Sequence, residues 1–296
     1  MNFVVGKAKD DEPEVKQPKG AGIVPKLHFR WILSGPSKSG KSNLAKWSLD
    51  NYYAGSTKGK SFFDKIYLLS PTAHIDFMWS NLAGLDHKNR ISHPTPEHLT
   101  KILESQIKKI AGSANESALK NISAATLAKK KTSCPSILVI FDDAIAESKL
   151  INSSAFLKIF IQGRHYNISS MVMTQSYMRV PRSVRLQATH VSMFPSRTSE
   201  IDRLFIEFGG KTLSKKEFHE MVAYATTPQP GDEYPFLHLD AFASEEVKYR
   251  RNFTNTLQLR SKQNNIHSDN AGPKQKRRRR QKTIPNEEEV KTGDGL

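Results

Sequence analysis

Eight consecutive residues, Gly35-Pro36-Ser37-Lys38-Ser39-Gly40-Lys41-Ser42, have the types and spacing needed to hold a polyphosphate. Gly35 and Gly40 allow turns that a Cβ would forbid, so successive backbone N–H groups can converge on an anion. Beyond Gly40, the start of a helix adds unpaired N–H groups and the positive end of its dipole. In a Gly-x-x-x-x-Gly-Lys-Ser pattern, Lys41 reaches the β and γ phosphates as a compact charge. The Ser42 hydroxyl is a ligand for Mg²⁺, an ion that keeps most of its water and takes few protein ligands. The chemistry implied is that of ATP or GTP with magnesium.

Further along, Ser136-Ile137-Leu138-Val139-Ile140-Phe141 runs into Asp142-Asp143. An apolar strand ending in two carboxylates presents both at its carboxyl edge, where ligands bind in open α/β sheets. There Asp142 would hold the water shell of the magnesium ion and Asp143 would orient or deprotonate an attacking water. A third strand pattern, Ile168 to Gln175, delivers Thr174 and Gln175 to the same edge, and the Gln175 amide is placed to sense a γ-phosphate. Between these stretches, Ser153 and Ser154 can cap a helix with Phe156, Ile159 and Phe160 on one face. Gly163 weakens that helix just before Arg164, which on its own reads as a cation near a helix end.

The elements that must position these residues follow from periodicity. Leu27 to Ser34 reads as a strand, and Lys41 onward as a helix. Ile66 to Leu69 is a short apolar strand closed by Ser70-Pro71-Thr72. Helical spacing appears at Pro96 to Ala111 and again near Ala118 to Lys131, where Lys129-Lys130-Lys131 would face either nucleic acid or solvent. His190 to Phe194 reads as a strand. Ser199 to Gly210 reads as a helix with a serine cap and a glycine stop, and Ser214 with Glu217 forms a capping-box pattern that opens another. Phe236 to Leu239 is the last strand pattern. Arg179, Arg182 and Arg185 suit either a DNA-facing loop or a polar surface.

The chain has 296 residues, 37% of them hydrophobic, which suffices for one buried core. Residues 1–24 lack periodicity and read as a flexible lead-in, 25–260 as one domain, and 261–296 as a disordered basic tail. The formal net charge is +16, and Lys274 to Lys282 holds seven cations and no acid, leaving +9 for the remainder. The body is basic in its own right, which points to nucleic acid or an anionic membrane surface. The basic block suits DNA phosphates, a nuclear import signal or simple solubility. The single cysteine, Cys134, allows no internal disulfide and fits a reducing compartment. No apolar run reaches the length of a membrane span, so a soluble, intracellular chain is expected. A guanine-reading Asn-Lys-x-Asp motif is absent from the sequence, which argues against a GTPase.

The order of phosphate loop, long interval, Ile-Leu-Val-Ile-Phe-Asp-Asp, Gly163-Arg164-His165-Tyr166-Asn167-Ile168-Ser169 and Met173-Thr174-Gln175 resembles the FtsK/HerA class of P-loop motors. It is most similar to the genome-packaging ATPases of large double-stranded DNA viruses and virophage-like elements. The resemblance implies a three-layer α/β P-loop NTPase of the ASCE/RecA-like type. Its central sheet would be mostly parallel, with another strand between the loop strand and the acidic strand. It also implies ATP and Mg²⁺ as cofactors. Gly35 to Ser42 would form the cradle, Ser42 and Asp142 would hold the metal, Asp143 would activate water and Gln175 would be the sensor. Arg164 would be an arginine finger entering the neighbouring subunit's site. The implied activity is ATP-driven movement of double-stranded DNA into a capsid by a pentameric or hexameric ring, with a capsid or portal-vertex protein as a further partner. The implied location is the virion or the site of virus assembly, in cytoplasm or nucleus. Two alternatives stay open: a related translocase or helicase-like ATPase not dedicated to packaging, and a non-catalytic DNA-binding protein with a degenerate nucleotide site.

Overall fold

A computed structural model describes residues 16–257, apart from 58, 113–116, 118–121 and 211–212. The described residues lie within one compact unit that ends at Gln258. The basic block at Lys274 to Lys282 and most of the expected lead-in lie outside the described residues.

The chain alternates strands and helices: β1 (Arg30–Ser34), α1 (Lys41–Asn51), β2 (Lys65–Leu69), β3 (Arg90–Ile91), α2 (Pro96–Ala111) and α3 (Ala124–Ser133). There follow β4 (Ile137–Asp142), α4 (Ser148–Ile151), α5 (Ser154–Gln162), β5 (Ile168–Thr174), α6 (Arg182–Arg185) and β6 (His190–Met193). The chain continues with α7 (Thr198–Phe208), α8 (Lys215–Thr226), β7 (Leu237–Asp240), β8 (Tyr249–Arg251) and β9 (Asn255–Thr256). Nine strands form one sheet in the order β3-β2-β4-β5-β1-β6-β7-β8-β9. From β3 to β6 every pairing is parallel, and from β6 to β9 every pairing is antiparallel. This is the α/β P-loop NTPase fold, with β5 between the loop strand β1 and the acidic strand β4.

The central parallel strands β4, β5, β1 and β6 are buried on both faces, and their alternating side chains feed two cores. Ile32, Val139, Phe141 and Val172 pack with Leu99, Leu103, Phe156, Phe160, Leu204 and Phe218 of the helices on one face. Trp31, Leu33, Leu138, Ile140 and Met173 pack with Leu44, Tyr53, Phe63, Trp79 and Phe194 on the other. The alternation fixes register, because a one-residue slip would swap the two sets.

Local signals hold at several helix starts. Thr95 with His98 closes a capping box at α2, and Ser214 with Glu217 closes one at α8. The Ser153 hydroxyl accepts from the Phe156 N–H at α5. At α7 the expected serine cap is not used: Arg197 occupies the cap position without a side-chain bond, and Ser199 falls inside the first turn. The polypeptide also packs earlier than expected. The Gln17 side-chain amide exchanges two hydrogen bonds with the Leu27 backbone, at 3.1 and 2.8 Å, and Val24 is buried.

Candidate active site

The loop leaves β1 at Ser34, and the Gly35 N–H donates to the Thr174 carbonyl at 3.2 Å, tying the loop to the end of β5. A Cβ on Gly35 would lie 2.6 Å from the Phe194 Cβ, so the close approach of the strand-6 exit requires glycine. Gly40 has φ 96° and lies against the Tyr234 side chain, where an added Cβ would sit at 3.0 Å. Lys38, in the middle of the loop, also takes a positive φ, 63°. No side chain caps α1, so the N–H groups of its first turn stay available to an anion. Lys41 is buried, and its Nζ donates to the carbonyls of Gly35 at 2.8 Å and Pro36 at 2.7 Å, spanning the mouth of the loop. The Ser39 hydroxyl is buried without a protein partner.

The two acids sit beside this loop. Asp142 ends β4 and is buried, with the Trp79 indole N–H donating to its carboxylate at 3.3 Å. Burial, then the neighbouring Asp143 charge, push its pKa up to about 6; the Trp79 bond and the Lys41 charge act in the opposite direction. Burial pushes the Lys41 ammonium down, while Asp143 and Asp142 pull it back up, so the ammonium and the two carboxylates share one electrostatic environment. Asp143 takes the left-handed conformation, φ 50°, and its exposed carboxylate accepts from the Gln175 amide at 3.2 Å. Four of the sequence-predicted residues, Lys41, Asp142, Asp143 and Gln175, therefore meet at the carboxyl edge.

This donor set fits magnesium. A buried carboxylate with its proton affinity raised by a second carboxylate gains most from a nearby cation, and a hydroxyl one residue beyond the lysine supplies a neutral oxygen. Among the described residues no group of three or more His, Cys, Asp or Glu could hold a metal by itself. Mg²⁺, which takes few protein ligands, requires no such cluster.

Arg164 is elsewhere. It lies in a short 3₁₀ turn, Gly163–Tyr166, before β5, and lines a cavity at the amino edge of the parallel strands with Arg30 and Thr189. The seven residues of β5 separate it from Gln175, roughly 20 Å at ~3.3 Å per residue. It cannot serve the loop of its own chain.

The structure brings further residues to the neighbourhood of the site. Trp79 comes from a 3₁₀ turn in the aperiodic interval after β2, and Asp76 caps that turn. Arg179 and Arg197 line a cavity of about 410 Å³ together with Pro36, Ser37, Gln175 and Glu200. Arg179 could have been suspected from its place just past the Gln175 strand end. Arg185 is not a surface cation: it is buried and forks onto Glu207, with Nη2 to Oε1 at 2.7 Å and Nε to Oε2 at 2.9 Å. The Tyr177 hydroxyl donates to the same carboxylate at 2.7 Å, which makes the group an internal brace between the segment after β5 and α7. Among the described residues no helix is long and apolar enough to cross a membrane.

Comparison with known proteins gives no match among curated proteins. Among solved structures, the genome packaging NTPase B204 from Sulfolobus turreted icosahedral virus 2, in complex with ATP-gammaS, is 19% identical. That match covers 72% of this chain and 93% of that one, with a TM-score of 0.43. EssC (ATPases 2 and 3) from Geobacillus thermodenitrificans is 12% identical, over 75% of this chain and 42% of that one, with a TM-score of 0.46. The pCW3 conjugation coupling protein TcpA is 13% identical, over 73% and 58%, with a TM-score of 0.40. The profile of the family described as "Poxvirus A32 protein" matches residues 24–229, a span that contains the phosphate loop, both acids, Arg164 and Gln175. With most of its length matched, the chain belongs to the poxvirus A32 protein family.

Proposed function

We propose that this chain hydrolyses ATP with Mg²⁺ and couples each turnover to the movement of double-stranded DNA into a viral particle. The coarser part of that reading, a viral genome-packaging ATPase, is the function of the family to which the chain belongs. A general translocase and a non-catalytic DNA-binding protein are thereby set aside. The observation that carries the catalytic part is the meeting of Lys41, Asp142 and the Gln175–Asp143 pair at one edge of the sheet.

The roles in this reading are as follows. The turn from Gly35 to Gly40 and the open start of α1 give N–H groups to the phosphates. Lys41 exchanges its carbonyl contacts for the β and γ oxygens, so substrate and loop geometry are linked. Ser42 and Asp142 would hold Mg²⁺, which when bound neutralises charge developing on the phosphates. Asp143 accepts a proton from, or orients, the attacking water. The Gln175 amide, bonded to Asp143, places that carboxylate and reports whether the γ-phosphate is present. Arg164, held at the opposite edge, acts on a neighbouring subunit's nucleotide in a homo-oligomeric ring, where a guanidinium stabilises transition-state charge. Backbone contacts from a basic body give DNA binding that is steeply salt-dependent and little dependent on sequence. The place of action is virus assembly in the host cytoplasm.

The test is ATPase activity of the purified full chain, with and without magnesium and duplex DNA, measured over a range of salt and alongside the mass distribution. Expected are magnesium dependence, stimulation by DNA that falls with salt, and activity confined to oligomers. Activity in the monomer that is indifferent to DNA would overturn the coupled-motor reading.

A further inference from the structure

The edge of the sheet opposite the phosphate loop holds a cavity of about 690 Å³. Five cations line it, namely Lys26, Arg30, Lys131, Arg164 and Arg250, against one acid, Asp240. That acid is already engaged: its carboxylate accepts from the Phe242 N–H at 3.1 Å and lies 3.5 Å from the His190 Nε2.

Arg30 is the informative member. It starts β1 and is only 7% exposed. Its Nη1 donates to the Phe160 carbonyl at 3.3 Å, its Nε is buried without a partner, and among the described residues no carboxylate pairs with it. The charge nearest in effect is another cation, Arg164, which adds to the penalty of burial. A guanidinium stays protonated at any ordinary pH, and burying it without a counter-charge is strongly unfavourable. The helix carbonyl offsets only part of that. Arg250 likewise bonds carbonyls, those of Gly22 at 3.1 Å and Val247 at 3.2 Å, and among the described residues no acid. The rest of the lining is mixed: His28, Thr132, Asn167, Thr189, His190 and His238 are polar, and Val24, Val247 and Phe242, the last 76% exposed, are apolar.

A group of cations beside uncharged polar side chains and an exposed aromatic residue matches one kind of guest. We propose that this cavity is a second anion site, separate from the phosphate loop, which takes the phosphate of a nucleotide unit on Arg30, Arg164 and Arg250 and its base against Phe242. The unit has two sources, a free nucleotide or the phosphorylated end of a nucleic-acid strand. The site does not depend on hydrolysis at the other edge.

The experiment uses the full chain carrying Lys41→Ala, which silences the phosphate loop, with two probes: AMP and a short 5′-phosphorylated single-stranded oligonucleotide. Binding is measured by calorimetry before and after Arg30→Met, which keeps the stem and removes the charge. A second variant, Arg164→Ala with Arg250→Ala, changes the rim and leaves the buried Arg30 in place. At least one probe should bind, and each variant should weaken it about tenfold or more, the scale of one charge-assisted contact. If Arg30→Met does not fold, the rim pair decides. Response to AMP alone assigns a free nucleotide, and response to the oligonucleotide alone assigns a strand end. No binding by either probe, or binding that neither the rim variant nor a folded Arg30→Met weakens, overturns the proposal. ATPase activity is read separately on chains that keep Lys41 and Arg164 and carry Arg30→Met or Arg250→Ala alone, so loss of this site and loss of the packaging reading are distinguishable.

Discussion

The two edges of the parallel sheet solve opposite electrostatic problems. At the carboxyl edge a buried ammonium, Lys41, faces two carboxylates, so cation and anion are both held ready and each moderates the other. At the amino edge a buried guanidinium, Arg30, faces a second arginine and, among the described residues, no free acid, so the charge is left over. A site for chemistry needs groups of both signs within reach of one reacting centre; a site for binding an anion needs only excess positive charge and shelter from water. In the proposed reading turnover belongs to one edge and grip to the other, and that contrast can be broken from either side.

The largest effect is expected from Lys41→Ala. Removing the ammonium deletes the proposed contact to the β and γ oxygens and takes a cation away from the buried Asp142 carboxylate. Turnover should fall by more than about 10³-fold. Retained turnover would move the chemistry away from this edge. Arg164→Ala should cost on the order of 10³-fold in a homogeneous assembly if the finger acts on a neighbour. Mixing that variant with Lys41→Ala subunits should restore part of the activity, since some interfaces then combine an intact loop with an intact finger. Absence of rescue at every mixing ratio would confine Arg164 to the amino-edge cavity.

Between the edges, the brace formed by Arg185, Glu207 and Tyr177 should matter for stability alone. Glu207→Ala leaves a buried guanidinium and a buried phenol without their acceptor, at a cost of roughly 3–5 kcal/mol. Chemical denaturation should show that loss, while nucleotide affinity of the folded fraction stays unchanged. A shift in affinity of comparable size would instead make the segment after Gln175 part of the sensor.

The two edges also differ in how far they could be read from sequence. The carboxyl edge is built from continuous stretches: Gly35 to Ser42 is a loop between a strand and its following helix, and Asp142-Asp143 and Gln175 end two strands whose apolar runs announce them. Period and punctuation locate all three, and parallel topology then brings them together. Trp79, which bonds Asp142, was hidden because it comes from an aperiodic turn whose place is set only by packing under β2 and β4. The amino edge is composed of Lys26, Arg30, Lys131, Arg164, Asp240 and Arg250, residues that share no motif and meet only through the sheet order. Arg185 misled for a related reason, since its partner Glu207 lies on a helix that no local pattern links to it. The serine expected to cap α7 failed because Ser199 falls within the turn rather than at its entrance.

The smallest effect, and the sharpest comparison, comes from Asp240→Asn. At the amino edge this carboxylate lies beside His190, and its pKa is held down from 3.8 to about 2, with burial opposing the shift and the His190 contacts producing it. A depressed acid stabilises the fold above its unfolded pKa, so the contribution is full above about pH 4 and is lost as pH falls through about 2. The variant should therefore be slightly less stable than the parent at neutral pH, by about 1 kcal/mol or less for a partly exposed pair, with the gap closing in acid. Its effect on binding has the opposite sign: removing the one acid from a cavity lined by five cations raises the positive potential, and AMP should bind more tightly. An equivalent neutralisation at the other edge, Asp142→Asn, should lower turnover, by no more than Lys41→Ala does. One isosteric change at each edge thus separates a carboxylate that opposes an anion from one that the chemistry requires, and AMP affinity that falls in Asp240→Asn would erase the distinction.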